Sequence, residues 1–295
     1  MAYIYRETVI AQDLPIFFNL NNHITPTTVN LEAIDFLADA NGDKSVQAGM
    51  FVIKESATST RGRLLPRTRL ATASSTGAAT ATLGATWQTF KPNDVLFVTA
   101  PYTIITIGGT YLATEIVKVT IDGIVNNVVT GSTTNSIIAT TVAAAISADA
   151  LIGERVRAVT LGAVIYVFGK NAYDLYSVTT AARNAADNGG SASGTSTAAA
   201  AVLSFNTTAV GTVLTVVNGV LTLAANASVA LPIGAPVGIR YAQLLGLYGH
   251  SIDFKNTPVR PVAPVIQATG VYESNLPYVD DSIKRQLSRL NIRIK

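Results

Sequence analysis

The chain of 295 residues contains no cysteine, so its core must form without disulfides, and it is long enough for that. Charged residues make up 13% and hydrophobic residues 48%, which excludes a disordered chain, and no stretch approaches the roughly 18 to 20 apolar residues of a membrane helix. Its 21 basic and 18 acidic side chains leave a net charge of +3, too small a bias for a nucleic-acid surface, so neither nucleic acid nor membrane is an expected partner.

Residues 1–27 mix aromatics with Asn and Pro and show no sustained period. Arg6 and Glu7 stand where an export signal would carry its apolar run, so no signal is expected. Tyr3, Ile4, Tyr5, Phe17 and Phe18 place large apolar side chains in a segment too irregular to build its own core, which predicts an arm packed on a neighbouring chain. From Thr28 the pattern becomes strand, turn, strand: Val29, Leu31 and Ala33 alternate with polar residues, Asp39 to Asp43 makes a turn, and Val46 to Ile53 forms the next strand. Asp39, Asn41 and Asp43 resemble a calcium loop in composition, but the glycine and the closing glutamate are not where such a loop needs them. The run Arg61, Arg63, Arg67 and Arg69 would meet phosphate or the acidic face of a partner subunit, or else form a solvated loop.

Residues 71–84 are rich in Ala, Thr, Ser and Gly and read as a connector. Beyond them Ile116 to Ile121 is a strand ending at Asp122-Gly123, and Asn135 to Asp149 carries apolar residues at 138, 142, 145 and 146, a helical period. Arg155 to Thr160 and Ala163 to Phe168 give two more strands, with Leu175 to Val178 as a fourth, which together make an independent βαββ unit. Residues 188–239 hold no charged side chain; they open on a flexible Gly/Ser composition and continue into a hairpin, Val213 to Val217 and Val220 to Leu223 about Asn218-Gly219. Ile233 to Ile239 leads to Leu244 to Tyr248. Pro258, Pro261 and Pro264 then punctuate an extended segment expected along a sheet edge or a partner. Asp280 or Asp281 caps a last helix with Ile283, Leu287 and Leu290 on its apolar side and Lys284, Arg285 and Arg289 outward, a candidate contact with a subunit or shell. The chain closes on a short strand at 291–295.

Chemistry-bearing motifs are sparse. Two histidines, His23 and His250, cannot make a three-histidine metal site, and there is no nucleophile elbow, phosphate loop or dinucleotide fingerprint. The 18 acids scatter through turns and caps rather than forming a recognisable pair. The expectation is a protein that is not an enzyme and carries no cofactor and no metal. Asn206-Thr-Thr and Asn226-Ala-Ser fit the glycosylation pattern at the frequency an Asn/Thr-rich chain shows by chance.

The two ends of the chain carry a resemblance. Val46-Gln-Ala-Gly49, Gly234-Ala-Pro-Val-Gly-Ile239, Gly270-Val-Tyr-Glu-Ser-Asn-Leu-Pro277, Asp281-Ser-Ile-Lys-Arg-Gln-Leu287 and Leu290-Asn-Ile-Arg-Ile294 are similar to lambda-type phage head decoration (capsid cement) proteins. The likeness spans roughly residues 28–72 and 234–295; Arg240-Tyr-Ala-Gln replaces the usual acidic segment, and a long insert separates the halves. It implies a mainly β fold: a β-tulip or β-sandwich-like decoration base (28–72 plus 234–295) behind an N-terminal arm (1–27). The base would carry an inserted α+β (βαββ) module (73–187), a linker and hairpin (188–233) and a short C-terminal helix. It further implies a homotrimer on the outer surface of an expanded capsid, the major capsid protein as partner, and a binding arm at Tyr3 to Phe18. A tail or receptor-binding fibre component is the alternative, although neither repeats nor a coiled-coil segment is visible.

Overall fold

The computed structural model describes residues 49–58, 62–84, 89–170, 175–188, 190–199, 202–204, 206–248, 270–272, 276, 281–290 and 292–294, with the backbone of short strands at 17–18, 27–30, 45–46, 252–253 and 262–266. The protein is mainly β, with three helices among the described residues. In chain order the first strands are β1 (Phe17–Phe18), β2 (Thr27–Asn30), β3 (Ser45–Val46), β4 (Phe51–Lys54), β5 (Arg63–Leu64), β6 (Arg67–Arg69), β7 (Thr80–Thr82), β8 (Val95–Val98) and β9 (Tyr102–Gly109). Then follow β10 (Ile116–Ile121), β11 (Ile124–Val129), α1 (Asn135–Ala148), α2 (Ile152–Arg155), β12 (Val156–Leu161), β13 (Val164–Gly169), β14 (Val178–Arg183) and β15 (Gly194–Ala198). The chain ends with β16 (Ala209–Val217), β17 (Val220–Leu223), β18 (Pro236–Gly238), β19 (Gln243–Tyr248), β20 (Ile252–Asp253), β21 (Val262–Ile266), β22 (Gly270–Val271), α3 (Asp281–Arg289) and β23 (Arg293–Ile294).

Three cores organise these elements. The first joins the two ends of the chain: Phe51, Ile53 and Leu65 pack with Ile239, Leu244, Leu247, Val271, Leu276, Ile283, Leu287 and Ile292. Its five-stranded sheet runs β2-β21-β19-β4-β5, and β1-β22-β23 lies with it. Pairing is antiparallel except between β22 and β23. The expected strand from Val46 to Ile53 is broken at Gly49, whose φ of 86° no ordinary residue adopts easily. Pro264 of β21 stands opposite Thr28 of β2.

The second core fills a six-stranded antiparallel sheet, β6-β18-β8-β16-β17-β7. Its two outer strands meet: Leu70 bridges Leu83, Ala71 N–H bonds Thr82 O at 2.9 Å and Gly84 N–H bonds Arg69 O at 2.8 Å. Among the described residues the sheet thus closes on itself, its two outer strands joined to each other. Its strands come from both sides of residues 72/73 and 233/234, so hydrogen bonding runs continuously between the end segments and the middle of the chain.

The third core packs α1 between two sheets, β11-β10-β14 and β12-β13-β9-β15. Apolar residues at i, i+4 and i+8, Ile138, Val142 and Ile146, bury one side of α1, and Ser147 ties the helix to β12 by bonding both the N–H and the C=O of Ala158. The unit has more strands than the βαββ expected: β9, β11 and β15 join it, and β14 begins at Val178 rather than ending there. Nor does it stand apart. Ile105, Ile107, Ile165 and Val167 face α1, while Tyr102, Tyr166 and Phe168 from the same strands stack on one another in the barrel core. Strands β9 and β13 thus send side chains into both cores, and the two cores share this sheet.

Candidate functional site

The arginine run resolves into two kinds of residue. Arg63 and Arg67 are 4% and 2% exposed, Arg69 is exposed, and Arg61 lies outside the described residues. Arg63, on β5, donates to both carboxylate oxygens of Asp94 in the turn before β8, to Thr89 O at 2.8 Å and to Glu55. Lys91 N–H adds a bond to Asp94 at 2.9 Å, and its ammonium approaches Glu55 at 3.7 Å. Burial pushes the Glu55 carboxyl up, but Arg63 and then Lys91 outweigh that and hold it below its ordinary value. Burial likewise pulls Arg63 down, and Asp94 with Glu55 more than reverses this. The guanidinium is spent on joining the end-segment sheet to the barrel.

Arg67 serves the same joint from β6. Its guanidinium lies 6.0 Å from the centre of the Tyr241 ring, and Tyr241 OH accepts a hydrogen bond from Gln286 of α3 at 2.8 Å. Arg240, where the resemblance has an acidic segment, sits 4.1 Å over the Phe97 ring and donates through Nε to Asn206 O at 2.9 Å. The Arg61 to Arg69 run reads as a contact surface or a solvated loop because nothing in a sequence shows which side of a two- or three-residue strand faces inward. The acid that neutralises Arg63 lies 31 residues downstream, with no local signal connecting them.

The C-terminal residues behave differently. Ile283 and Leu287 of α3 are buried in the first core, while Arg285, Arg289 and Arg293 are exposed and Lys284 is half-buried. The exposed Arg285, Arg289 and Arg293 give the first body a basic outer side. Phe17 and Phe18 pair through their backbone with Val271 and Gly270 of the same chain, as the outer strand of β1-β22-β23. Tyr3, Ile4 and Tyr5, the Asp39 to Asp43 turn, His23 and His250 lie outside the described residues. Among the described residues no three His, Asp or Glu side chains gather as a metal site. None of the described helices is long and apolar enough to cross a membrane.

No protein-family description matches the sequence, and no curated protein matches it. Among solved structures, a chain from Mycobacterium phage Patience aligns over 77% of this chain and 96% of its own, with 11% identity and a TM-score of 0.24, too low to establish a shared fold.

Proposed function

We propose that this chain is a structural protein of a tailed-phage particle, an outer capsid decoration protein that binds the major capsid protein and cements the expanded shell as a homotrimer, without enzymatic activity or cofactor. The observation that carries this reading is the composition of the first core. The two stretches that resemble decoration proteins lie at opposite ends of the sequence, yet side chains from both close into one hydrophobic cluster to which, among the described residues, none of the intervening ones contributes. A base assembled from the ends is the organisation the resemblance implies, and β6 and β18 of the same end segments tie it into the barrel. Cementing follows from mass action: a ligand that binds only the expanded shell stabilises that shell, and many copies multiply a modest contact. The exposed Arg285 and Arg289 of α3 supply a basic surface on this base for an acidic subunit face.

The test is a density map of the virion that carries this chain, together with rebinding of purified protein to undecorated expanded capsids. Copies are expected on the outer head surface, and Arg285→Glu with Arg289→Glu should lower occupancy while the fold is kept, most clearly at low salt. Density confined to the tail, or no binding to expanded capsids, overturns the reading.

A further inference from the structure

The third body has an unguarded edge. In the hairpin of β10 and β11 the two turn residues Asp122 and Gly123 have φ of 48° and 81°, the two-residue turn that makes Ile121 and Ile124 a hydrogen-bonded pair. By alternation Ile124, Asn126 and Val128 turn their backbone groups toward β10, and Thr130 N–H bonds Glu115 O at 2.9 Å in the same phase. Val125, Asn127 and Val129 therefore direct their N–H and C=O groups out of the sheet. Among the described residues no backbone group pairs with them there, since β11 is the outer strand of β11-β10-β14.

Natural edge strands carry a charge, a proline or a bulge that blocks further pairing. The segment Ile-Val-Asn-Asn-Val-Val has none of these: it is uncharged, largely β-branched, and in unbroken register with β10 over its whole length. Its outward valines, Val125 and Val129, are 48% and 56% exposed.

We propose that β11 is a self-pairing strand: two copies of this chain join their three-stranded sheets by antiparallel pairing of β11 across a twofold axis at Asn127. The argument for a second copy as occupant is the symmetry of the edge. A twofold axis through an antiparallel pair stands perpendicular to the sheet, so residues opposite each other must come from the same face, and new hydrogen bonds must come from residues whose backbone points outward. Centring on Asn127 meets both conditions. Asn127 then faces Asn127 of the second copy, and Val125 faces Val129 of the second copy on either side. Each exposed valine meets a valine, and no charge is set against its own kind within the strand. Lys118, opposite Asn127 on β10, and Asp187, which accepts a bond from Asn127 Nδ2 at 3.1 Å, carry opposite signs beside the axis. Leu112, 57% exposed, lies at the Val129 end, where Thr130 Oγ1 bonds its carbonyl at 2.7 Å, and widens the contact.

One strand pair buries much less than the roughly 1,200 Å² of a stable interface. Free copies therefore pair weakly, and pairing grows where copies are held side by side on a common surface, through effective concentration. The proposal rests on the edge alone and holds whether or not that surface is a capsid.

Because the chain has no cysteine, single introduced cysteines report the contact. Opposed residues in such a pair have Cα atoms about 5.5 Å apart, within the span of about 4.4 to 6.8 Å that a disulfide bridges. Mild oxidation of concentrated Asn127→Cys protein should trap a covalent dimer. Val125→Cys alone should not cross-link, since its copies lie about 14 Å apart along the strands, whereas a mixture of Val125→Cys and Val129→Cys should. All three positions are on the solvent side, and circular dichroism checks that the variants fold. Asn127→Cys staying uncross-linked, or Val125→Cys and an exposed control at Thr140→Cys cross-linking equally well, overturns the proposal.

Discussion

Asp94 shows how much one buried carboxylate can hold. It takes both arms of the Arg63 guanidinium in a place where neither group is more than slightly exposed, so Asp94→Ala leaves the buried charge with only the part-exposed Glu55 as counter-charge and should cost about 3 to 5 kcal/mol. Glu55 also bonds Arg63, but its side chain is 46% exposed, and Glu55→Ala should cost less than about 1 kcal/mol. Urea unfolding of both variants checks the order; equal losses would show that Asp94 is not the anchor. Glu115 gives a pH prediction. Its buried carboxylate accepts N–H bonds from Ser193, the larger influence, and from Leu112, which hold its pKa below the ordinary value despite burial. A depressed carboxylate stabilises the fold above the unfolded-state pKa of about 4.3 and loses that contribution as pH falls through the folded value. The stability gap between the wild type and Glu115→Gln should thus be widest near neutral pH and narrow in acid. A gap that stays constant with pH would mean that Glu115 acts through its shape.

At the scale of elements, two glycines do different work. Gly123 turns the β10–β11 hairpin at φ 81° with open space where a side chain would go, so Gly123→Ala should cost about 1 to 2 kcal/mol of backbone strain, and Gly123→Asn should recover much of it. Gly194 has no such φ, but a Cβ there would overlap the fully buried Tyr111 ring. Gly194→Ala should cost about 1 to 3 kcal/mol, and Gly194→Asn more. Thermal melts of the four variants separate the two causes: if Asn rescues both positions, the packing explanation at Gly194 is wrong. The same contrast explains what the sequence made legible. Helix α1, the β10 turn and the β16–β17 hairpin carry period or turn signals that need no partner to be read. Strand β9, Tyr-Thr-Ile-Ile-Thr-Ile-Gly-Gly, places apolar side chains at consecutive positions 104 and 105 and so lacks the alternation in sequence that marks a half-exposed strand, and β15, Gly-Thr-Ser-Thr-Ala, has too little apolar character to register at all. The C-terminal basic side of α3 was visible from helical spacing, whereas the inward turn of Arg63 and Arg67 depended on partners distant in sequence.

Over the whole molecule, the sheet β12-β13-β9-β15 decides how the middle of the chain behaves. Ile165 and Phe168 lie three residues apart on β13 and feed different cores, Ile165 against α1 and Phe168 against the barrel. If the α+β unit were an independent insert, as its pattern suggests, Ile165→Ala would loosen that unit alone. With the sheet common to both, a cavity beneath either face weakens the strand that both cores pack on. We therefore expect Ile165→Ala, at about 2 to 5 kcal/mol, and Phe168→Ala, at about 3 to 5 kcal/mol, to lower one cooperative transition. Native-state hydrogen exchange reads this directly: each substitution should reduce the protection of slow amides in both α1 and β16. The end-segment core has its own sheet and reaches the barrel through β6, β18 and the Arg63–Asp94 joint, so its slow amides in α3 should fall less than those of the other two bodies. Faster exchange in α1 but unchanged β16 amides after Ile165→Ala would show instead that the α+β unit unfolds by itself and that the shared sheet transmits nothing.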